Sequence, residues 1–225
     1  MPDFSLSGLV RGSVERLRKF AVGEQGQMFN TKLMPDYATL VAENRVWRAQ
    51  EPNAGTASVV AMPTTAGLFT LGNNEPDEGL WYVPLFAYAF AVSNAAANEY
   101  FSLTGCLSQL PAVTGGLGVT LTQDIAKSTI KSMNGVRGGA YPGRAILDAG
   151  VTVTDDLWFP VGPGSGSTGV ASNAGAVAWC PINGFFLIPP KTLFSMVTVA
   201  TSTSCVTLKG LIYAEVPKEY LLGRA

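Results

Sequence analysis

The sequence predicts an all-β protein, a jelly-roll β-sandwich with an N-terminal arm that contains a short amphipathic helix. Three observations support this class. From residue 39 onward, short strand-like segments recur, turn signals rich in Gly, Asn and Pro separate them, and no long helical pattern lies among them. With 225 residues, the chain has the length of a single sandwich domain with room for an arm.

The arm is predicted over residues 1–45, with the helix over residues 5–20. Apolar residues recur there at spacings of three and four, and most basic residues fall between them. Gly8 and Gly12 each cost about 1 kcal/mol relative to alanine, so this helix should order against another surface. Residues 21–38 have no clear period and are predicted to be extended. The candidate interface residues are Leu6, Leu9, Val10, Arg16, Leu17, Arg18 and Phe20.

The body is predicted over residues 46–225. The candidate strands, the first of which begins in the arm, are 39–49, 57–62, 67–71, 80–92, 99–108, 117–122, 126–133, 151–160, 176–180, 184–188, 193–200 and 205–216. The last is the clearest, because it alternates as a half-buried strand does. Its apolar face holds Val206, Leu208, Ile212, Ala214 and Val216, and its polar face holds Thr207, Lys209 and Glu215. Pro84 inside 80–92 indicates an edge or a bulge.

The Gly/Ser-rich stretch 161–176 is predicted to be a long exposed loop. Its central part, 162–169 (GPGSGSTG), superficially resembles a phosphate-binding loop. A phosphate loop of the Walker type needs a lysine at its end, and no lysine occurs between Lys131 and Lys191. A flexible loop is therefore the favoured interpretation.

The chain contains no histidine, which excludes several kinds of catalytic and metal site. Ser-His-Asp and Cys-His catalysis need an imidazole, and so do histidine-ligated zinc hydrolases. Carboxylate pairs drawn from Glu99, Asp124, Asp148, Asp155 and Asp156 remain the weak enzymatic alternative. We expect no enzymatic activity and no cofactor.

Two further segments have competing interpretations. The stretch 73–79 (NNEPDEG) concentrates oxygen ligands but lacks the spacing of an EF-hand, so a polar turn is favoured over a calcium site. The aromatic run Trp81, Tyr82, Phe86, Tyr88 and Phe90 is either a ligand-stacking platform or a core face, and the core face is favoured. Phe86, Tyr88 and Phe90 share one parity and are expected on one strand face.

Charge and cysteine content indicate where the protein functions. The net charge of −1 predicts no general attraction to nucleic acid. Three cysteines without a CxxC pair fit thiols in a reducing compartment. The first twenty residues lack the apolar region of a secretory signal, and the longest uncharged apolar run, 80–92, is too short to span a bilayer. We expect synthesis in a cytoplasm, and no membrane contact.

The layout resembles the cement or decoration proteins of tailed bacteriophage capsids. The resemblance lies in the arm, in the patterns beginning at 44–47 (NRVW), 62–68 (MPTTAGL) and 71–73 (LGN), and in the closing patterns 187–192 (LIPPKT) and 208–215 (LKGLIYAE). It implies a jelly-roll virion protein on the capsid exterior, a homotrimer whose partners are its own copies and the major capsid protein. Low charge, 14% against about 25% in ordinary domains, suits extended contact with a shell.

The alternative function is a phage spike, tail or lectin-like module that binds host-surface carbohydrate. A cement protein needs no small-molecule substrate, whereas the alternative predicts an exposed aromatic cluster. The two hypotheses therefore differ in whether an aromatic cluster is expected on the surface.

Overall fold

The computed structural model describes residues 21–22, 28–29, 37–63, 66–93, 99–111, 118–135, 141–153, 158–162, 164–167 and 175–221. Within these ranges the protein is nearly all β, with two antiparallel sheets packed together, which confirms the predicted sandwich. The helix predicted over residues 5–20 lies outside the described residues. So do its interface residues Leu6, Leu9, Val10, Arg16, Leu17, Arg18 and Phe20.

The elements follow one another along the chain in this order. The strands are β1 Ala21–Val22, β2 Met28–Phe29, β3 Val46–Gln50, β4 Thr56–Ala57, β5 Ala66–Gly67, β6 Phe69–Asn73, β7 Trp81–Ser93, β8 Glu99–Gln109, β9 Lys131–Ser132, β10 Ala145–Asp148, β11 Val151–Thr152, β12 Phe159–Pro160, β13 Ser165–Ser167, β14 Val177–Pro181, β15 Thr192–Ala200 and β16 Val206–Val216. The helices are α1 Ala38–Ala42, a 3₁₀ turn Lys127–Thr129 and α2 Lys218–Leu221. Neither α-helix is long enough or apolar enough to cross a membrane.

The strand order is that of a jelly roll. Sheet I runs β10-β6-β15-β8-β12, with β13 also paired to β8. Sheet II runs β14-β7-β16-β3-β9, with β4 also paired to β16. Eight principal strands, β3, β6, β7, β8, β12, β14, β15 and β16, thus give the orders 3-16-7-14 and 6-15-8-12. This is the double Greek key of a jelly roll.

The main core lies between the sheets, and the two sheets contribute side chains of different size. Sheet I supplies bulky residues, namely Phe69, Leu71, Phe101, Leu103, Phe194 and Met196. Sheet II faces them partly with the buried alanines Ala87, Ala89, Ala91 and Ala178 of β7 and β14. Large side chains opposite small ones let the layers interdigitate, which is how a sandwich core is filled.

The outer face of sheet I is covered by the chain itself. The connection between β8 and β12 brings Val119, Leu121 and Trp158 onto this face, where they join Cys106 and Leu193 in a second apolar cluster. Gly72 lies directly beneath Leu121, and a Cβ atom there would overlap the leucine side chain. This connection therefore covers the outer face of sheet I around Cys106 and Leu193.

The bulge expected near Pro84 is confirmed. β7 pairs with β16 along its length, and the register shifts between Ile212, opposite Phe86, and Tyr213, opposite Pro84. β7 lies inside sheet II, where a ladder position would require an N–H that proline lacks, and the bulge avoids this conflict.

Several sequence predictions were wrong at the level of elements. The start of the strand predicted at 39–49 is helix α1, because Tyr37, Leu40 and Val41 recur at helical spacing and pack on sheet II. Within 117–122, the described residues form no strand and cross sheet I instead. The segment 126–133 holds the 3₁₀ turn and only the short β9.

Three other segments also differ from the sequence prediction. At 184–188, residues Asn183 and Gly184 adopt positive φ, which makes a turn, and only Ile188 forms a bridge, to Tyr82. The predicted strand at 151–160 divides into β11 and β12. The stretch predicted as a loop at 161–176 contains β13, which adds to the edge of β8. No predicted strand covers β10.

Candidate functional site

The outer face of sheet II carries aromatic and apolar side chains in cross-strand rows. One row is Val177, Phe90 and Leu208, and the next is Trp179, Tyr88 and Gly210. The third is Pro181, Phe86 and Ile212. Directly paired residues point to the same side of a sheet, so the rows form one continuous surface. We call Phe86, Tyr88, Phe90, Val177 and Trp179 the aromatic strip.

The rings of the strip are in contact. The Trp179 ring centroid lies 5.1 Å from that of Phe86 and 5.8 Å from that of Tyr88, the latter pair stacked at 19°. Tyr88 lies across Gly210, where the missing side chain leaves room for its ring. Its hydroxyl donates to Gln50 Oε1 at 2.7 Å, and burial raises the pKa of Tyr88 to about 12 although Arg48 opposes the shift. Tyr88 is therefore a fixed, neutral part of the strip.

Much of this surface is open to solvent. Trp179 is 48% exposed, Val177 44% and Phe90 38%, while Phe185 in the adjacent turn is 90% exposed. Tyr88, at 8%, is the buried floor between them. Contiguous exposed apolar groups of this kind mark interaction sites on soluble proteins.

The structure corrects the interpretation of the aromatic run. Phe86, Tyr88 and Phe90 do share one face, as expected. That face is the outer one, however, and not the core, because β7 is covered by sheet I only on its alanine side. Tyr82, on the other side of the bulge, is the member of the run that is fully buried between the sheets.

Residues just before β3 cover one end of the strip. The Tyr37 ring meets Phe86 edge-on at 6.3 Å, and its hydroxyl donates to Asn183 Oδ1 at 2.6 Å. Leu40 and Val41 of α1 belong to the same apolar cluster. The chain therefore enters the described body at the border of the strip. Val46, the predicted first residue of the body, also begins β3, but the division at 45 stays a prediction.

An ion pair lies inside the sandwich. Lys209 Nζ is 3.2 Å from Glu51 Oε2, and the side chains are 0% and 1% exposed. The lysine also donates to Thr56 Oγ1 at 2.6 Å, and its backbone N–H donates to the same carboxylate at 2.8 Å. Burial raises the pKa of Glu51 and lowers that of Lys209, while their mutual attraction opposes both shifts. The pair is structural, because no substrate can reach it from the surface through the packed sheets.

A carboxyl group is buried at another place in the core. Tyr141 donates to Glu215 Oε1, and the Tyr82 hydroxyl lies 3.4 Å from that of Tyr141. Burial raises the pKa of Glu215 to about 7, the hydrogen bond from Tyr141 opposes the shift, and Glu75 adds to it. The stability of the fold should therefore depend on the protonation of Glu215 near neutral pH.

Both buried clusters correct the prediction for β16. Lys209 and Glu215 were placed on a polar face, with the strand half-buried. The structure puts β16 between β7 and β3, and its residues from Thr207 to Val216 are buried. The face that was predicted to be polar and exposed is the one that points between the sheets. Glu51, an acidic residue directly after β3, is the signal that the prediction missed. Its partner Lys209 lies on another strand, far away in sequence.

Among the candidate carboxylate and calcium residues, Asp148 and Asn73 have structural roles, whereas Asp124 is exposed. Asp148 accepts from the backbone N–H groups of Thr122 and Gly150. The Asn73 amide donates to two backbone carbonyls, which supports a polar turn at 73–79. Asp155, Asp156 and the side chain of Glu99 lie outside the described part. Among the described residues, no group of three His, Cys, Asp or Glu could hold a metal. Cys106, Cys180 and Cys205 are buried thiols.

Comparisons with known proteins give no family. No family model and no curated protein matches the chain. One solved structure, the full particle of Israeli acute paralysis virus heated to 63 degrees, aligns at 10% identity over 88% of this chain and 77% of that chain. Its TM-score is 0.17, and a likeness at this level carries no argument about fold or function.

Proposed function

We propose that the protein is a virion structural protein that binds a capsid shell from outside and stabilises it as a cement or decoration protein. Its partners are its own copies, in a homotrimer, and the major capsid protein. The observation that supports this most is the aromatic strip. It is an exposed apolar surface on a rigid sheet, whereas the equivalent face of sheet I is covered by the chain itself.

The mechanism is thermodynamic. Stable protein interfaces bury about 1,200–2,000 Å² in total, and apolar area removed from water contributes about 25 cal/mol per Å². A partner that binds only the folded protein adds stability by mass action. Only 14% of the residues are charged, so few charged groups lose their hydration when a large surface is buried against a partner.

The same observations favour a non-enzymatic role without cofactor or nucleic-acid partner. The polar clusters at Lys209 and Glu215 are enclosed in the core, where they serve the fold. The net charge of −1 gives no general attraction to phosphates. Under this proposal the protein lies on the capsid exterior, after synthesis in the host cytoplasm and without membrane contact.

Absolute mass in solution tests the assembly. Size exclusion with light scattering should give a species of three times 23.6 kDa. Trp179→Ser combined with Phe90→Ser should lower this mass, because both remove exposed apolar area from the strip. Tyr100→Ser, at an exposed aromatic of sheet I, is the matched control and should leave the mass unchanged. The trimer should then cosediment with capsids stripped of exterior proteins, and a persistent monomer that ignores such capsids would overturn the proposal.

A second candidate, a spike, tail or lectin-like module that binds carbohydrate, is favoured by one observation. Trp179 is half exposed and stacked on Tyr88, and such a ring can stack against a sugar. Titration with host-surface polysaccharides should then change tryptophan emission in the native chain and not in Trp179→Phe. Absence of any change across a panel of polysaccharides would remove this candidate.

A further inference from the structure

The outer faces of the two sheets differ in how far other parts of the chain cover them. On sheet I, Leu121 and Trp158 come from a connection within the body and cover the residues around Cys106 and Leu193. On sheet II, the described residues that cover the outer face are Tyr37, Leu40 and Val41, at one end only. The rows that contain Phe90 and Trp179 have no covering segment among the described residues.

The strip suits an apolar occupant better than a polar one. Its three rows present valine, phenylalanine, leucine, tryptophan, proline and isoleucine. The polar side-chain groups among them are the indole N–H of Trp179 and the hydroxyl of Tyr88, and the hydroxyl is already engaged by Gln50. A carbohydrate requires several donors and acceptors around the ring that it stacks on. An apolar helix face requires none.

The sequence contains a segment with the required pattern. Residues 5–20 place Leu6, Leu9 or Val10, Leu17 and Phe20 on one stripe of a predicted helix. Such a helix is about 24 Å long and about 10 Å wide. The strip is about 14 Å from Phe86 to Phe90 along the strand and about 10 Å across β14, β7 and β16. The stripe can therefore lie along the rings as a helix lies in an apolar groove.

The segment is also within reach. β1 pairs with β2 so that Ala21 lies opposite Phe29, which returns the chain to Ala21, the residue that follows the segment in sequence. Residues 30–36 then separate this hairpin from Tyr37, and seven extended residues span at most about 25 Å. Tyr37 touches Phe86, so the connection ends at the border of the strip.

We propose that the aromatic strip is the docking surface for residues 5–20 of this chain. Leu17 and Phe20 fill the positions beside Trp179 and Phe90, and the basic side chains stay in water. This inference concerns the occupant of the strip, and it holds whether the segment comes from the same copy or from a neighbouring one.

Cysteine crosslinking in the full chain tests it, since the three native cysteines are buried. Leu17→Cys with Val177→Cys should form a disulfide under mild oxidation at least tenfold faster than two controls. One control, Glu15→Cys with Val177→Cys, uses the polar side of the helix. The other, Leu17→Cys with Tyr100→Cys, uses sheet I. Equal rates in all three pairs would overturn the inference.

Fluorescence gives a second test that does not depend on new cysteines. Deleting residues 1–20 should shift tryptophan emission to longer wavelength, because Trp179 becomes more exposed, and a peptide of residues 1–20 should reverse the shift. Trp179→Phe should abolish both effects. Emission that responds to a polysaccharide but not to the peptide would overturn the inference in favour of a glycan.

The copy of the chain that contributes residues 5–20 distinguishes this inference from the proposed function. Leu17→Cys and Val177→Cys placed on different chains and mixed will crosslink only if the segment crosses between copies. A rapid crosslink within one chain of a monomer would uphold the docking surface and count against the trimer. A trimer with no crosslink to the strip would overturn the docking surface and support the trimer.

Discussion

Lys209, near the start of the last strand, and Glu51, one residue after β3, form an ion pair that is closed off from water between the two sheets. Each charge lost most of its hydration when the sandwich formed. The attraction between them, together with Thr56 and the backbone N–H of residue 209, offsets that loss. Removing one partner therefore leaves the other charged and buried.

The first prediction concerns this pair. Lys209→Met should lower the free energy of unfolding by about 3–5 kcal/mol, because Glu51 is left without its partner. The double variant Lys209→Met with Glu51→Gln should be more stable than the single one, since it removes both charges. Urea unfolding followed by circular dichroism measures both midpoints. A double variant no better than the single one would show that lost packing, and not the unpaired charge, dominates.

The second prediction concerns pH. The pKa of Glu215 is raised to about 7 from an ordinary 4.5. Between these values the folded state keeps a proton that the unfolded chain has released, so the free energy of unfolding falls as pH rises from about 4.5 to about 7, by about 3 kcal/mol, and then levels off.

Glu215→Gln isolates this effect. The amide does not titrate, so the difference in unfolding midpoint between native chain and variant should change across pH 4.5–7 and stay constant above it. Glu51, whose pKa is also raised, contributes equally to both proteins and cancels. A difference that is independent of pH would mean that Glu215 is not the titrating group.

The third prediction concerns the floor of the strip. Gly210→Val should displace Tyr88, because a Cβ at this position overlaps the Tyr88 ring, and should cost about 1–3 kcal/mol. It should also alter Trp179 emission, since Trp179 stacks on Tyr88. Gly150→Ala is the control, because its Cβ meets no atom within 4 Å. Equal effects of the two substitutions would exclude the contact as the cause.

The fourth prediction concerns the arm. Deleting residues 1–20 should leave the body folded, because both sheets and the main core are built from residue 46 onward. The truncated chain should keep its thermal transition but show a lower mass in light scattering. A truncated chain that cannot fold would show that the arm is part of the core and that the division at residue 45 is wrong.

The sandwich class and most long strands could be predicted from the sequence, because period-2 alternation and turn residues are local signals. The position of a strand within the sheet is not local. The alternation of β16 is real, but its central place in sheet II and the packing of sheet I against it determine that Lys209 is enclosed. The same limit applies to Phe86 and Phe90, whose shared face was predictable and whose outward direction was not. Leu40 and Val41 fit a strand as well as a helix over so few residues.

The placement of β16 has a consequence for biosynthesis. This strand is made last among those of the sandwich, yet it joins β3 to the paired strands β7 and β14 at the centre of sheet II. In a nascent chain that still lacks β16, the β3 side of sheet II cannot join the side formed by β7 and β14. The rows of the aromatic surface are then incomplete. Under the proposed function, association with partners would be restricted to chains whose translation has passed residue 216. Prematurely terminated products would then be kept out of the assembly without any dedicated quality-control factor.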